Sequence, residues 1–592
     1  MRYQVKIIGV FFLMTFSLFP TYGQKRLKSF PYQKEGLNKQ QAAIHLLSRF
    51  TYGYNAHDVQ EIEKEGLEKW FFKQLKAQEA DTELTRMLEP YADVLLANRA
   101  IVKKYPRTPR VRRLMIDEGF ISKDSVDSRS AFYKATYQEF LKEKGFRPEQ
   151  ELFKKFIATK VLRAAFSENQ LQEVMTDFWF NHFNVSFTKP QSAPYIPSYE
   201  NHIIRPNALG KFENLLLATA KSPAMLFYLD NASSTVERPK SKNNKGINEN
   251  YARELMELHT LGVDGGYTQK DVSEAARVLT GWTVYPMNGY GNLTMIKSLE
   301  KGNNTIQNQN VLDGDFVFVA SRHDKGRKIV FGQHFENDGY QEGVSLISYL
   351  SSRPQTAQFI CKKIAARFVN DQPDEALIHS MAQTFLESNG DIRKVLIAMV
   401  YSSEFWQREN LHYKVKTPFE LAISSIRALD GQVENPSRLI NWVTRMGEKK
   451  YYYIAPTGFP DKSSYWINTG SLLNRMNFGL AFTSSKTSGV DVDLLEFTNY
   501  QEPESPEQAL EVFARLLLPT ADIDMLKSRL SPLLTAQNLR QKVAQSSGGG
   551  GAVNAKETEK RERLLVNNSK SNNAMLAQVV GLIIGSPEFQ RR

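Results

Sequence analysis

Apolar residues recur every three to four positions along most of the chain, which is the spacing of one face of an α-helix. The pattern is densest at residues 248–282, NENYARELMELHTLGVDGGYTQKDVSEAARVLTGW. It predicts a helix from Asn248 to Gly262, a glycine turn, and a second helix from Thr268 to Gly281. The TQKD sequence is a capping box that starts the second helix. Trp282 follows and is expected to fill space in the core.

The first of these helices has two unlike sides. Tyr251, Ala252, Leu255 and Met256 share an apolar side, which Asn248 and His259 interrupt. The charged side carries residues four apart, which are neighbours on a helix surface, and Glu254 lies at its border. These charged residues are Glu249, Arg253 and Glu257.

The same periodicity predicts helices elsewhere, and short alternating runs predict strands at 316–319 and 328–331 that pair as a hairpin. We therefore expect a mainly α protein with one large core, a small β-hairpin and long loop insertions. The predicted helices include 40–50, 151–166, 171–183, 356–369, 392–401, 418–429, 472–481 and 573–584. The predicted insertions are a charged helical one at 80–150, a loop at 286–315 and a flexible linker at 546–551.

Two predicted helices carry histidines beside other polar residues. In helix 171–183, His182 interrupts an apolar stripe; with Trp179 and Asn181 it forms either a pocket wall or part of the core. In helix 40–50, His45 and Arg49 are four apart on the polar side. That pair would bind an anion or hold a carboxylate, or it is an ordinary surface pair.

Motifs that define a reaction are missing from the sequence. It contains no HExxH, GxSxG, P-loop or CxxC pattern, so no nucleotide or redox cofactor is indicated. The adjacent His323 and Asp324 could ligate a divalent metal or transfer a proton, with His259 as another candidate ligand, or they are ordinary loop residues.

The N-terminus has the pattern of a signal peptide. Arg2 and Lys6 precede an apolar stretch from Ile7 to Phe19, and small residues near Gly23 suit cleavage before Gln24. No later stretch is apolar enough to span a membrane. We therefore expect a periplasmic or extracellular protein, with residues 24–592 forming one helical domain.

Composition is that of a globular protein, with 592 residues, 41% hydrophobic and 24% charged. The lone Cys361 rules out an internal disulfide and is expected to be buried and inert. The net charge is +12, and its densest run is from Lys103 to Arg113. That run would suit an acidic glycan, lipid head groups or nucleic acid, or it is a solvated connection between helices. Export makes nucleic acid the least suitable partner.

Several blocks in order along the chain resemble the domain of unknown function 1800 family. They are HLLSRFTYG from His45, FWFNHFNV from Phe178, NENYARELMELHTLGV from Asn248, GYTQKDVSEAARVLTGW from Gly266, HDKGRKIVFG from His323 and TGSLLNRMNF from Thr469. The resemblance implies an exported, mostly helical bacterial protein without a settled activity. It also implies a sulfatase- or phosphatase-like exported partner of the domain of unknown function 1501 type. The family motif marks Asn248, Glu249, Asn250, Arg253, Glu254, Glu257, Gly262 and Tyr267.

Two functions fit these features. The first is an exported hydrolase acting on a carbohydrate or other polymer, with Glu249, Glu254 and Glu257 as acid and base and Arg253 holding one of them charged. Either His182 or His323 would complete the site. Its substrate would contact His45, Arg49, Trp179, Asn181, Asn248, Asn250, Tyr267 and Trp282. The second is a non-enzymatic scaffold or binding protein in which the charges form a structural ladder. Asn248 and Asn250, beside the carboxylates, favour the enzyme.

Overall fold

In this computed structural model the described residues are 28–125, 128–236, 246–287, 309–336, 338–483, 489–534 and 574–592. They are mainly helical with a few short antiparallel strands, which confirms the predicted fold class. The expected signal peptide and the linker at 546–551 lie outside the described residues, as do residues 288–308 of the expected loop insertion.

The N-terminal part is helical almost throughout. The predicted helices at 40–50, 151–166 and 171–183 are confirmed within two residues at each end. The helices are α1 (Lys39–Phe50), α2 (Ala56–Glu65), α3 (Leu67–Lys76), α4 (Thr82–Leu88), α5 (Asn98–Lys104), α6 (Thr108–Asp117), α7 (Ala131–Glu143), α8 (Glu149–Phe166), α9 (Gln170–His182), α10 (Ile196–Ser198), α11 (Arg205–Asn207), α12 (Phe212–Lys221) and α13 (Pro223–Tyr228).

The middle of the chain contains the densest sequence pattern and most of the strands. Its helices are α14 (Asn250–Glu257), α15 (Gln269–Val278), α16 (Tyr340–Ser351), α17 (Pro354–Phe368), α18 (Glu375–Glu387), α19 (Ile392–Val400) and α20 (Ser403–Trp406). Its strands are β1 (Trp282–Val284), β2 (Val311–Asp313), β3 (Phe316–Phe318), β4 (Lys328–Val330) and β5 (Gln333–Phe335).

Helices resume in the last part, where the bounds again follow the apolar pattern. They are α21 (Pro418–Ala428), α22 (Pro436–Arg445), α23 (Ser463–Trp466), α24 (Thr469–Phe482), α25 (Pro506–Leu517), α26 (Ile523–Leu534) and α27 (Ala574–Gly585), with the short strands β6 (Gln432–Val433) and β7 (Val490–Asp491). In the described part of the chain, no helix combines the length and the apolar composition of a membrane span.

One hydrophobic core runs through residues from Phe30 to Phe589. Cys361 is buried in it, and burial raises the pKa of its thiol, as expected of an inert cysteine. The helical insertion at 80–150 adds a small apolar cluster of its own around Met115 and Phe140.

The strands pair differently from the expected hairpin. β3 lies between β1 and β2, and Trp282 is opposite Phe318. The expected pairing of 328–331 with 316–319 is wrong, because β4 pairs with β5 instead. Phe331 and Gly332 both have positive φ, 50° and 83°, which suits a two-residue turn between these strands.

Trp282 is fully buried and stacks on Tyr340 at a centroid distance of 5.7 Å. A Cβ at Gly343 would lie 2.4 Å from its ring, so α16 needs a glycine there. The expectation that Trp282 fills the core is confirmed.

Candidate functional site

The helix hairpin α14–α15 is built from local capping signals. Thr268 forms the predicted capping box with Asp271. α14 starts two residues later than expected, because Asn248 Oδ1 accepts the backbone N–H of Asn250 at 2.9 Å. Gly262, at φ 84°, lies against Phe359, whose ring would be 2.9 Å from a Cβ.

The Glu249 carboxylate joins the two helices. It accepts a hydrogen bond from Ser273 Oγ at 2.5 Å and one from Gln269 Nε2 at 2.8 Å, and it pairs with Arg253 Nη2 at 3.2 Å. Arg253 also donates to Gln269 Oε1 at 2.9 Å. The Ser273 hydrogen bond contributes most to lowering the pKa of Glu249. Both oxygens are therefore engaged in holding α14 against α15.

The other two glutamates of α14 are nearer to tyrosines. Burial raises the pKa of Glu254, and the neighbouring Glu257 raises it further. Burial, together with Glu257, raises the pKa of Tyr267 to about 12. Burial also raises the pKa of Tyr228 to about 12, and the Tyr228 hydroxyl donates to the Ile454 carbonyl at 2.6 Å. Glu254 is thus more easily protonated than Glu249.

His182 lies in a separate buried centre. Its Nε2 is 3.1 Å from the His259 carbonyl, and its Nδ1 is 3.0 Å from Lys363 Nζ. When the ring is neutral, Nε2–H donates and Nδ1 accepts. Burial lowers the pKa of His182, and the positive charge of Lys363 lowers it further. Burial lowers the pKa of His259 to about 3, and its Nε2 has no partner among the described residues. The structure brings these two histidines together, but not with Glu249.

Trp179 and Asn181 have structural partners. Trp179 is fully buried and its Nε1–H donates to the Ala208 carbonyl at 2.8 Å. Asn181 donates to the Phe459 carbonyl at 2.8 Å and accepts the Phe459 N–H at 2.7 Å. It therefore holds the aromatic loop at 458–468 against the end of α9.

A buried charged network runs along α17. Lys363 and Arg367 are one helical turn apart. Burial lowers the pKa of Lys363 although Asp461 opposes it, whereas Glu420 and then Asp461 outweigh burial and raise the pKa of Arg367. Arg367 pairs with Glu420 at 2.6 Å, and Arg592 Nε lies 3.2 Å from the same Glu420 oxygen. Burial alone would raise the pKa of Glu420, but Arg367 and Arg592 bring it to about 2. The network extends from the His182 centre towards α1.

His45 and Arg49 lie at the α1 end of this network, and the alternative that they form an ordinary surface pair is wrong. Their exposed fractions are 1% and 0%. His45 Nε2 is 2.8 Å from the Phe405 carbonyl, and Arg49 donates to the Asn410 carbonyl. Arg49 Nε and Nη1 have no hydrogen-bond partner in the described part of the chain.

His323 and Asp324 are held by different partners. Asp324 accepts from Arg277 Nε at 2.9 Å. His323 Nε2 lies 3.4 Å from Glu342, which pairs with Lys328 at 2.5 Å, all three side chains being nearly fully buried. Sequence reasoning missed this triad, because its members come from different elements. Among the described residues, no three or more His, Cys, Asp and Glu side chains group so as to hold a metal ion.

Comparison with known proteins gives one match. The DUF1800 family, whose description is "Protein of unknown function", matches residues 45–591. No curated protein and no solved structure matches.

Proposed function

This chain belongs to the DUF1800 family of proteins of unknown function, and we propose that it is a non-enzymatic binding protein outside the cytoplasm, partnered by a sulfatase- or phosphatase-like exported protein. The export and partner parts of the proposal rest on the N-terminal signal pattern and on the family resemblance.

The engagement of Glu249 is the observation that supports this function best. A general acid or base must exchange its proton with a substrate, but this carboxylate accepts hydrogen bonds from Ser273 and Gln269 and is paired with Arg253. Asn248 also has a structural partner, because its side chain accepts the backbone N–H of Asn250, the first residue of α14.

A double-mutant cycle tests the structural role of Glu249. Glu249→Ala, Ser273→Ala and the double variant should show a coupling of about 1 kcal/mol in unfolding free energy, since each single change removes one partner of the same hydrogen bond. Effects that simply add would contradict a hairpin-clamping role.

Co-purification tests the binding role. The protein and the sulfatase- or phosphatase-like product encoded nearest to its gene should form a complex of defined mass in light scattering. Two species that elute separately at micromolar concentration would contradict the proposal.

A second candidate function is hydrolysis of an exported carbohydrate or other polymer. Glu254 favours it, because burial raises its pKa beside Glu257, and glycoside cleavage needs two carboxyl groups in opposite protonation states. Folded Glu254→Gln and Glu257→Gln variants would then lose turnover of a polymer that the parent protein cleaves. Unchanged turnover in both would exclude this site.

A further inference from the structure

A small cavity lies where the end of α1 meets the segment before α21 and the last residues of the chain. Its volume is about 30 Å³, and Thr51, Lys416, Glu420 and Arg592 are among its lining residues. A cavity of that size holds about two water molecules or one small polar group. It adjoins an outer cavity of about 430 Å³, and Arg591 lines both.

Cationic nitrogens without partners surround the small cavity. Arg592 is 3% exposed, and its Nη1 has no hydrogen-bond partner among the described residues. Its Nε is 3.2 Å from Glu420 but is not oriented to donate. Buried donors without acceptors are costly, so these groups call for an acceptor in the cavity.

Lys416 adds a further positive charge. It is half-buried, and its ammonium lies 4.1 Å from the centroid of the Phe589 ring. In the described part of the chain it has no ion pair. Burial lowers its pKa to about 7; Glu420 opposes this shift, and the charges of Arg592 and Arg475 add to it.

The lining carboxylates neutralise these charges only in part. Glu420 is shared between Arg367 at 2.6 Å and Arg592 at 3.2 Å, and Glu588 is paired with Arg529 at 2.5 Å. Glu588 Oε2 is buried without a partner, so it opposes an anion on its side of the cavity. A ligand anion would therefore lie towards Lys416 and Arg592.

We propose that this cavity binds the carboxylate of a small organic acid whose remaining part occupies the outer cavity. A planar carboxylate fits the small volume and the fork of an arginine. The outer cavity has a volume within the range of about 300–1,000 Å³ common for small-molecule sites, and its walls include Leu518, Met525 and Thr520. The site deepens the proposed binding function by giving it a ligand class.

Calorimetry on the isolated full chain tests the site. Benzoate and hexanoate should bind, and the neutral benzamide and hexanamide should not. Lys416→Met should weaken benzoate binding by about tenfold or more, since a charge-assisted hydrogen bond is lost. Lys416→Arg should retain binding, which separates charge from folding. Glu588→Gln should bind benzoate at least as tightly as the parent.

The matched control is Lys39→Met, which removes the same charge from an exposed position on α1. Equal benzoate affinity in the parent and Lys416→Met, or equal binding of benzoate and benzamide, would overturn the site. Binding of inorganic phosphate or sulfate in place of benzoate, lost in Lys416→Met, would overturn the carboxylate assignment. These measurements use the chain without its partner. A negative result in calorimetry therefore counts against the carboxylate site, and a negative result in co-purification counts against the proposed partner.

Discussion

Replacing Lys416 by methionine should change how stability depends on pH. In the unfolded chain this lysine titrates near its ordinary pKa of 10.5, whereas burial and neighbouring arginines lower its pKa in the fold to about 7. The unfolded state therefore binds more protons between these two values. Stability must rise with pH through that window, and the cost of Lys416 is greatest below pH 7.

The size of this change in stability follows from the shift in the pKa of Lys416 between the unfolded and folded states. Each pKa unit is worth about 1.4 kcal/mol, so the contribution of Lys416 changes by up to about 3 kcal/mol between pH 6 and pH 9. Lys416 is half-buried and partly screened by water, so we expect about 1 to 2 kcal/mol. Lys416→Met should lack this rise and should be more stable than the parent at pH 6.

Urea unfolding at pH 6, 7.5 and 9, followed by tryptophan fluorescence, measures the difference between parent and variant. Comparing pH values removes the effect of packing, which is the same at each. If the difference in unfolding free energy between the parent and Lys416→Met is the same at all three pH values, the inference that Lys416 lacks a counter-charge is refuted. With a carboxylate bound, the ammonium gains a partner and its pKa rises. Benzoate affinity should then fall by up to about tenfold per pH unit above about 7.

Three further predictions concern other parts of the molecule. Glu342→Gln should cost about 3 to 5 kcal/mol in unfolding free energy by urea titration, because it leaves the fully buried Lys328 without a counter-charge; a loss under 1 kcal/mol would contradict this. Thr268→Ala should cost about 1 kcal/mol in the same assay by removing a helix cap, whereas Thr268→Ser should cost little. Protein recovered from outside the cytoplasm should begin at Gln24 by N-terminal sequencing, and an intact Met1 would contradict cleavage.

Helix positions could be predicted closely because they depend on local spacing. α1, α8 and α9 begin and end within two residues of the bounds that apolar periodicity gives. Capping at Thr268 was equally local. Spacing alone does not say which helix faces are buried, however. Residues 42–50 of α1 are all buried, because other elements cover both sides of the helix. His45 and Arg49 share a face as expected, but that face is inside.

The arrangement of the candidate sites could not be read from the sequence. Glu249, just before α14, is the glutamate that holds the two helices together, because Ser273 donates a hydrogen bond to it from 24 residues away in the chain. The triad of His323, Lys328 and Glu342 and the cavity at Lys416 both depend on contacts between distant elements. Neighbouring charges on one helix could be predicted, but their partners across the fold could not.

Charge balance separates the structural networks from the proposed ligand site. Arg205 is buried but pairs with both Glu173 and Glu200, and Lys328 is buried but pairs with Glu342. Such pairs can hold elements in register. Lys416 differs, because it has no ion pair in the described part of the chain, and Arg592 shares its only carboxylate there, Glu420, with Arg367. Unpaired buried charge lowers stability and is retained most readily where a ligand supplies the missing charge. On this reasoning the hairpin at Glu249 serves the architecture, and the cavity at Lys416 serves binding.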